Sequence, residues 1–300
     1  VVAPAAALAR DTHPVVSPDR RWLVFASSRE RPFDQTSLWI APLGGEAAPR
    51  RLTAGPAIDA HPSWRPDGSA IVFSSTRGGG GLHLWELAVA DGAPGALRQL
   101  TAGDGHEITP SVTADGAIVY AALTADPATR TVRSRLAERA GDGAIRALTD
   151  GPGDASPAVS PDGARIAFAR PRAHDGQLDG ELWWMPRAGG AAELVVELPL
   201  TDESGPVWSR DGRYVFATSV LRGAGGRVLF SSVIYVDVRA APRVARMLED
   251  RVGAIVRLTP ALTGAPLDAA ALAAGRPYLP ELAAIVARAL AAQPAAEPTP

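Results

Sequence analysis

Five acids stand at one place in a recurring string: Asp11, Asp59, Glu107, Asp154 and Glu203 each lie three residues before a proline. Arginines occupy a second recurring place, Arg29, Arg77, Arg172 and Arg222, with Thr124 in the third string. Carboxylates and guanidiniums that share an edge form short, directional, charge-assisted hydrogen bonds. Such pairs either fix how chain segments cross or leave a charged mouth that takes a partner's loop or a cation. If they are structural, the acid near Thr124 should lack an arginine and be the most exposed of the five.

Two histidines, His13 and His61, sit just before the recurring proline, where the other strings have Thr109, Ser156 and Gly205. A metal centre takes three or four ligands, so two imidazoles fall short, and neither metal nor cofactor is expected. Each histidine is expected to hydrogen-bond backbone at its turn. His106-Glu107 lacks the second histidine of a zinc-protease helix, and no Gly-x-Ser-x-Gly elbow exists. No catalytic residue is assigned. The candidate binding surface is Asp11, His13, Arg29, Asp59, His61, Arg77 and Glu107. Arg130, Arg133, Arg135 and Arg139 form a separate basic patch, read as a solvated outer face or a partner contact, with Arg133 and Arg135 on one side of a strand.

The elements that position these residues are themselves repeated. Pro14-Val-Val-Ser-Pro18-Asp19 returns as Pro62 to Gly68, Pro110 to Gly116, Pro157 to Gly163 and Pro206 to Gly212, at a period of 47–49 residues. A period of that length marks a stacked supersecondary unit. In the unit at 59–101, Pro66-Asp67-Gly68 is a tight turn. Ala70 to Ser75, Leu82 to Val89 and Leu97 to Thr101 read as strands after a short extended run at Pro62-Ser-Trp64. The aromatics Phe25, Phe73, Tyr120, Phe168 and Phe216 recur on the second strand and are expected in the core. The fourth strand ends in Leu-Thr at 52–53, 100–101 and 148–149. Four-stranded antiparallel units repeated radially are blades of an all-β propeller. Five blades are clear, and a degenerate sixth is open.

The predicted layout is a lead-in at 1–10, a propeller at 11–250 and an extension at 251–300 with short helices near 268–275 and 280–290 and a disordered tail. Val1 to Ala9 reads equally as an alanine-rich lead-in or a signal-peptide remnant. Net charge is −2, which gives no footprint for nucleic acid or an anionic membrane. Cysteine is absent, and all 30 Lys+Arg residues are arginine, which excludes Walker-type loops, Schiff-base and kinase chemistry. No apolar run is long enough for a spanning helix. A monomer is expected.

The run from Asp59 to Thr101 resembles the WD40-like PD40 repeat of the TolB family: acid, Pro-x-Trp, Pro-Asp-Gly, an aromatic-ended strand, Ser-x-Arg, Leu-Trp and Leu-Thr. Four other units match in part. The resemblance implies a non-enzymatic propeller used for protein contacts in the bacterial envelope or outside the cell. The chain departs from the family in its five clear blades against six, in showing no N-terminal α/β domain and in its last fifty residues. Related propellers among pectate-fragment lyases use central histidines with a metal, and some serine peptidases carry gating propellers. An enzyme or enzyme fragment, with a metal at His13 and His61 or a hydrolase domain elsewhere, is therefore the alternative, and a structural module of a larger surface protein is a third.

Overall fold

The computed structural model describes residues 9–247 apart from 33, 44–46, 127, 152, 175–176, 197, 199–200 and 223–227, and leaves the side chains of 174, 177–178, 222 and 229–230 undescribed. Residues 1–8 of the expected lead-in at 1–10, the helices near 268–275 and 280–290, the tail and any sixth blade lie outside the described residues. Those residues form five four-stranded antiparallel sheets, each a meander in chain order, the fold of a five-bladed propeller. The strands of the first sheet are β1 (Asp11–Val16), β2 (Trp22–Ser27), β3 (Ser37–Pro42) and β4 (Arg50–Arg51). The second holds β5 (Asp59–Trp64), β6 (Ala70–Ser75), β7 (His83–Ala90) and β8 (Ala93–Gln99). The third holds β9 (His106–Val112), β10 (Ile118–Asp126), β11 (Thr131–Arg139) and β12 (Ile145–Ala147). The fourth holds β13 (Ala155–Val159), β14 (Arg165–His174), β15 (Gln177–Pro186) and β16 (Glu193–Leu194). The fifth holds β17 (Thr201–Trp208), β18 (Tyr214–Arg222), β19 (Val228–Asp237) and β20 (Ala245–Met247).

The chain divides into two compact units, Val1–Arg170 with Met185–Ala191, and Pro171–Trp184 with Ala192–Pro300. In the first unit, second strands are buried on both faces. Ile71 and Phe73 of β6 pack with Val24, Leu38 and Ile40 of the first sheet, while Val72, between them, packs with Ile118 and Tyr120 of the third. Alternation along a strand sends neighbours to opposite faces, so an unbroken apolar run is what a strand between two sheets requires. The recurring aromatics Phe25, Phe73, Tyr120 and Phe168 are buried as expected, while Phe216 is half-buried. In the second unit, Leu182, Val215, Ile234, Val236 and Met247 are buried, and the Trp184 and Trp208 rings stack at 6.2 Å.

The recurring polar letters have local work. In the turn between first and second strands, the Ser17 hydroxyl donates to Asp19 at 2.5 Å and accepts the Trp22 N–H, and Asp19 accepts the Arg21 N–H. Ser160 with Asp162 and Ser209 with Asp211 repeat the arrangement. The next turn residue is left-handed: Gly68, Gly116, Gly163 and Gly212 have φ of 64–83°, and Arg20 takes 62° in the first copy. Leu-Thr closes the outer strand of the first three sheets. The Thr53, Thr101 and Thr149 hydroxyls accept the N–H of Leu38, Leu84 and Leu136 at 2.8–2.9 Å, a backbone donor that the short fourth strand leaves open.

Leu38 is fully buried, so Thr53→Val, which keeps the shape and removes the acceptor, strands a buried N–H. A loss of roughly 1–3 kcal/mol is expected in urea denaturation; an unchanged midpoint would show that the hydroxyl carries no weight.

Candidate functional site

The recurring acids are the first residues of first strands or stand just beside them, opposite a second-strand residue. Asp11 lies opposite Ser27, Asp59 opposite Ser75, Glu107 opposite Ala122 and Glu203 opposite Ser219. This register explains the Ser-x-Arg motif. In the second sheet, Ser75 donates to Asp59 at 2.6 Å and accepts the Arg77 N–H, and the Arg77 guanidinium closes on the other carboxylate oxygen at 2.5 Å. Asp59 has no exposed surface. Arg77 also donates to the Ala54 carbonyl. In the first sheet Arg29 meets Asp11 at 2.6 Å, but there the acid is 40% exposed.

The remaining copies solve the same problem differently and correct three expectations. Glu107 lacks an arginine, as Thr124 implied, yet it is 14% exposed and therefore better covered than Asp11. Its longer side chain reaches the preceding sheet, where His83 Nδ1 stands 2.8 Å away and the Thr101 hydroxyl donates at 2.9 Å. In the fourth sheet the expected Arg172 does not serve Asp154. Arg170, at the serine position, donates from Nε and Nη2 at 2.6 and 2.9 Å, and within the second unit Arg172 turns to Glu181. In the fifth sheet Leu221 follows Ser219 at the arginine position, one residue before the expected Arg222.

Glu203 is thus held by the Ser219 hydroxyl at 2.9 Å, its second oxygen is buried without a hydrogen bond among the described residues, and the residue is 1% exposed. Burial pushes its pKa up to about 8, with the charges of Glu181 and Asp202 adding to the rise and the Thr201 and Ser219 hydroxyls opposing it. It is a neutral acid at pH 7.

From the second copy on, the acid region also bonds the preceding sheet, within its third strand or at the residue just before it. The Asp59 N–H donates to the Thr36 carbonyl and the Thr36 hydroxyl to the Asp59 carbonyl. The Glu107 N–H donates to the Leu82 carbonyl, and the Ser134 hydroxyl to the Asp154 carbonyl. In the second unit the Gly180 N–H donates to Asp202 at 2.9 Å. The acids and arginines Asp59, Arg77 and Glu107 are therefore internal latches. The Asp11–Arg29 pair alone of these sites keeps substantial exposure.

The histidines differ from expectation more sharply. Each first strand carries a bulge at its proline, between Thr12 and Val15, Ala60 and Ser63, Ile108 and Ser111, Ala155 and Ala158, and Ser204 and Val207. The residue before that proline is left-handed in every sheet: His13, His61, Thr109 and Ser156 at φ 50–53°, Gly205 at 59°. Left-handed backbone costs a non-glycine residue roughly 1–2 kcal/mol. Neither ring nitrogen Nδ1 takes a backbone partner. His13 Nδ1 lies 3.1 Å from the Thr12 hydroxyl, and His61 Nδ1 is buried with no partner among the described residues, as is the Thr109 hydroxyl. The two imidazoles meet edge to face, ring centres 4.3 Å apart. Lost hydration, then the other imidazole's charge, brings the His61 pKa down to about 4; His13 is lowered by lost hydration and then by Arg10. Both rings are neutral at pH 7. Among the described residues no group of three or more His, Asp or Glu is placed to hold a metal ion.

Sequence reasoning missed the bulge, Arg170 and His83. The signals were present: a glycine in the fifth copy at the histidine position, an arginine standing where Ser75 stands in the second copy, and glutamate in place of aspartate at 107.

Two outcomes follow. Arg77→Ala leaves a fully buried carboxylate unpaired and is expected to cost roughly 3–5 kcal/mol in urea denaturation, against about 1 kcal/mol or less for Arg29→Ala at the exposed pair; equal losses would contradict the latch. For Glu203 the folded pKa lies above its unfolded value, so the native state holds a proton that the unfolded chain releases above about pH 4.5, and stability falls as pH rises toward about 8. His13 and His61, with lowered values, act oppositely, but only below about pH 6.5. Between about pH 7 and 8.5 the wild type should lose stability and Glu203→Gln should not; parallel curves would exclude a buried neutral acid.

The PD40 family model, described as TolB beta propeller domain, matches residues 5–212. Among solved structures, a TolB candidate from Agrobacterium tumefaciens is similar over 80% of each chain, at 20% identity and a TM-score of 0.63. The TolB of Acinetobacter baumannii is similar at 18% identity and 0.56, covering 76% of this chain and 52% of that one. A puromycin-hydrolyzing peptidase of Mycobacterium tuberculosis is similar at 19% identity and 0.54, covering 82% of this chain and 38% of the peptidase. These are likenesses of fold. No curated protein matches the chain.

Proposed function

Because the chain belongs to the PD40 family, the TolB beta-propeller domains, we propose that it is a non-enzymatic binding propeller that takes a protein segment in the bacterial envelope or outside the cell, acting as a monomer. The observation that carries this reading is the left-handed position before the bulge proline. Glycine is the residue that fits there without strain, and the fifth sheet uses it. The first four copies instead keep a polar side chain there, each at a conformational cost. Strain held on a rigid scaffold is consistent with side chains retained for what they contact.

The binding surface is accordingly centred on His13 and His61, with the exposed Asp11–Arg29 pair beside them. Asp59, Arg77 and Glu107 support it from within. Neutral imidazoles donate one hydrogen bond and accept another, which suits the main chain and polar side chains of a peptide. The Asp11–Arg29 charges would set encounter rate and specificity more than affinity. Among the described residues, no helix is long and apolar enough to cross a membrane.

The double variant His13→Gly/His61→Gly tests the reading, because glycine accepts the same backbone. The melting temperature should hold or rise, while a partner retained from an envelope extract by the immobilised wild type, and identified by mass spectrometry, should fall about tenfold or more in retention, a loss of about 1.4 kcal/mol or greater. Identical retention by both proteins, or none by the wild type, would overturn it.

A further inference from the structure

The first unit commits most of its arginines. Arg77 and Arg170 close latches, Arg65 and Arg98 share Glu86, and Arg139 donates to the Leu100 carbonyl. Arg187 bridges Asp115 and Glu138. Arg130, Arg133 and Arg135 break the pattern: they make no hydrogen bond or ion pair with a described residue, and all three are exposed.

They share one hairpin. β10 and β11 pair continuously from Ile118↔Arg139 to Asp126↔Thr131. Their flanking strands stop short. β9 accompanies β10 only to His106↔Leu123, and β12 accompanies β11 only at Ala137 to Arg139. The rest is a two-stranded ribbon. Direct partners across a ladder share a face, so Glu107, Ala122 and Arg135 form one row and Thr124 and Arg133 the next. Arg133 and Arg135 therefore stand on one side, about 7 Å apart.

The nearby carboxylates are occupied. Glu107 is engaged with His83 and Thr101. Asp126 caps its own turn by accepting the Ala128 and Thr129 N–H groups; its pKa is lowered chiefly by the Thr129 hydroxyl and least by Arg133. Beyond Ser134, whose carbonyl faces Gly151, the edge of the ribbon is open. Leu136 directs its N–H to Thr149 and its carbonyl to Leu148, away from β10. Main-chain groups alternate sides along an antiparallel strand, so those of Val132 point the same way. Val132 is 64% exposed, with no strand beside it among the described residues.

From this geometry we infer that the ribbon docks an extended acidic protein segment, its main chain against Val132 and carboxylates on alternate residues against Arg133 and Arg135. The inference rests on the reading of the chain as a protein-binding propeller and names the chemistry of a second contact. Strand addition supplies main-chain hydrogen bonds, and same-face neighbours on an added strand are alternate residues, which matches the spacing of the two guanidiniums. Paired with carboxylates, those guanidiniums form the stronger, charge-assisted class of hydrogen bond.

The probe is a fluorescein-labelled peptide of four Glu-Thr repeats, read by anisotropy at about 50 mM salt, where screening is weak, against a Gln-Thr peptide of equal length. The Glu-Thr peptide should bind, and Arg133→Gln/Arg135→Gln should weaken it about tenfold or more, or about 1.4 kcal/mol, with an unchanged melting temperature because both side chains lie in solvent. Absent binding, equal binding to the double variant, or equal binding of the Gln-Thr peptide overturns the inference, as does binding to phosphatidylglycerol vesicles without binding to the peptide. None of these results bears on the His13→Gly/His61→Gly test, which alters different sheets.

Discussion

A carboxylate buried near the start of a strand, as Asp59, Asp154 and Glu203 are, must be neutralised, and the junctions of this molecule are arranged around that constraint. The negative charge cannot be left unpaired without a cost comparable to much of a domain's net stability. Each copy answers it locally. The second copy uses a hydroxyl and a guanidinium, the third a histidine and a threonine from the preceding sheet, the fourth a single two-pronged arginine, and the fifth a proton. The backbone around the acid is meanwhile bonded to the sheet before it. One residue therefore holds its own strand pair together and sets the register against its neighbour.

Once the acids are accounted for, the candidate binding surface shrinks. Charges that look available in a list of residues are mostly spent inside the fold. Besides the Asp11–Arg29 pair, the described residues leave polar side chains held in an uncomfortable backbone geometry and cations on a ribbon that outgrows its flanking strands. Both are typical of places where a scaffold gives up some stability for contact.

The architecture was legible because its signals are periodic. Turn letters, the second-strand aromatic and the Leu-Thr ending each recur at a fixed place, and each proved to have a local bonding or packing role, as Asp19, Phe73 and Thr53 show. The site was legible only in part. That Asp59 and Arg77 belong together follows from their recurrence. That Arg170 displaces Arg172, or that His83 substitutes for an arginine, depends on which residue lies directly opposite in the ladder, and a shift of one position reverses the face. The left-handed bulge was harder still, since a residue before proline is normally extended. Only the glycine at 205 hinted at it.

The latch has an evolutionary corollary. From the second copy on, the stretch around the acid bonds the third-strand region of the sheet before it, where Thr36, Leu82, Ser134 and Gly180 serve as anchors. A gene segment that duplicates or deletes one whole period leaves each surviving junction with both halves present. Copy number can therefore drift by unequal recombination without any junction having to be reinvented, and related chains with more or fewer blades need share no more than this grammar.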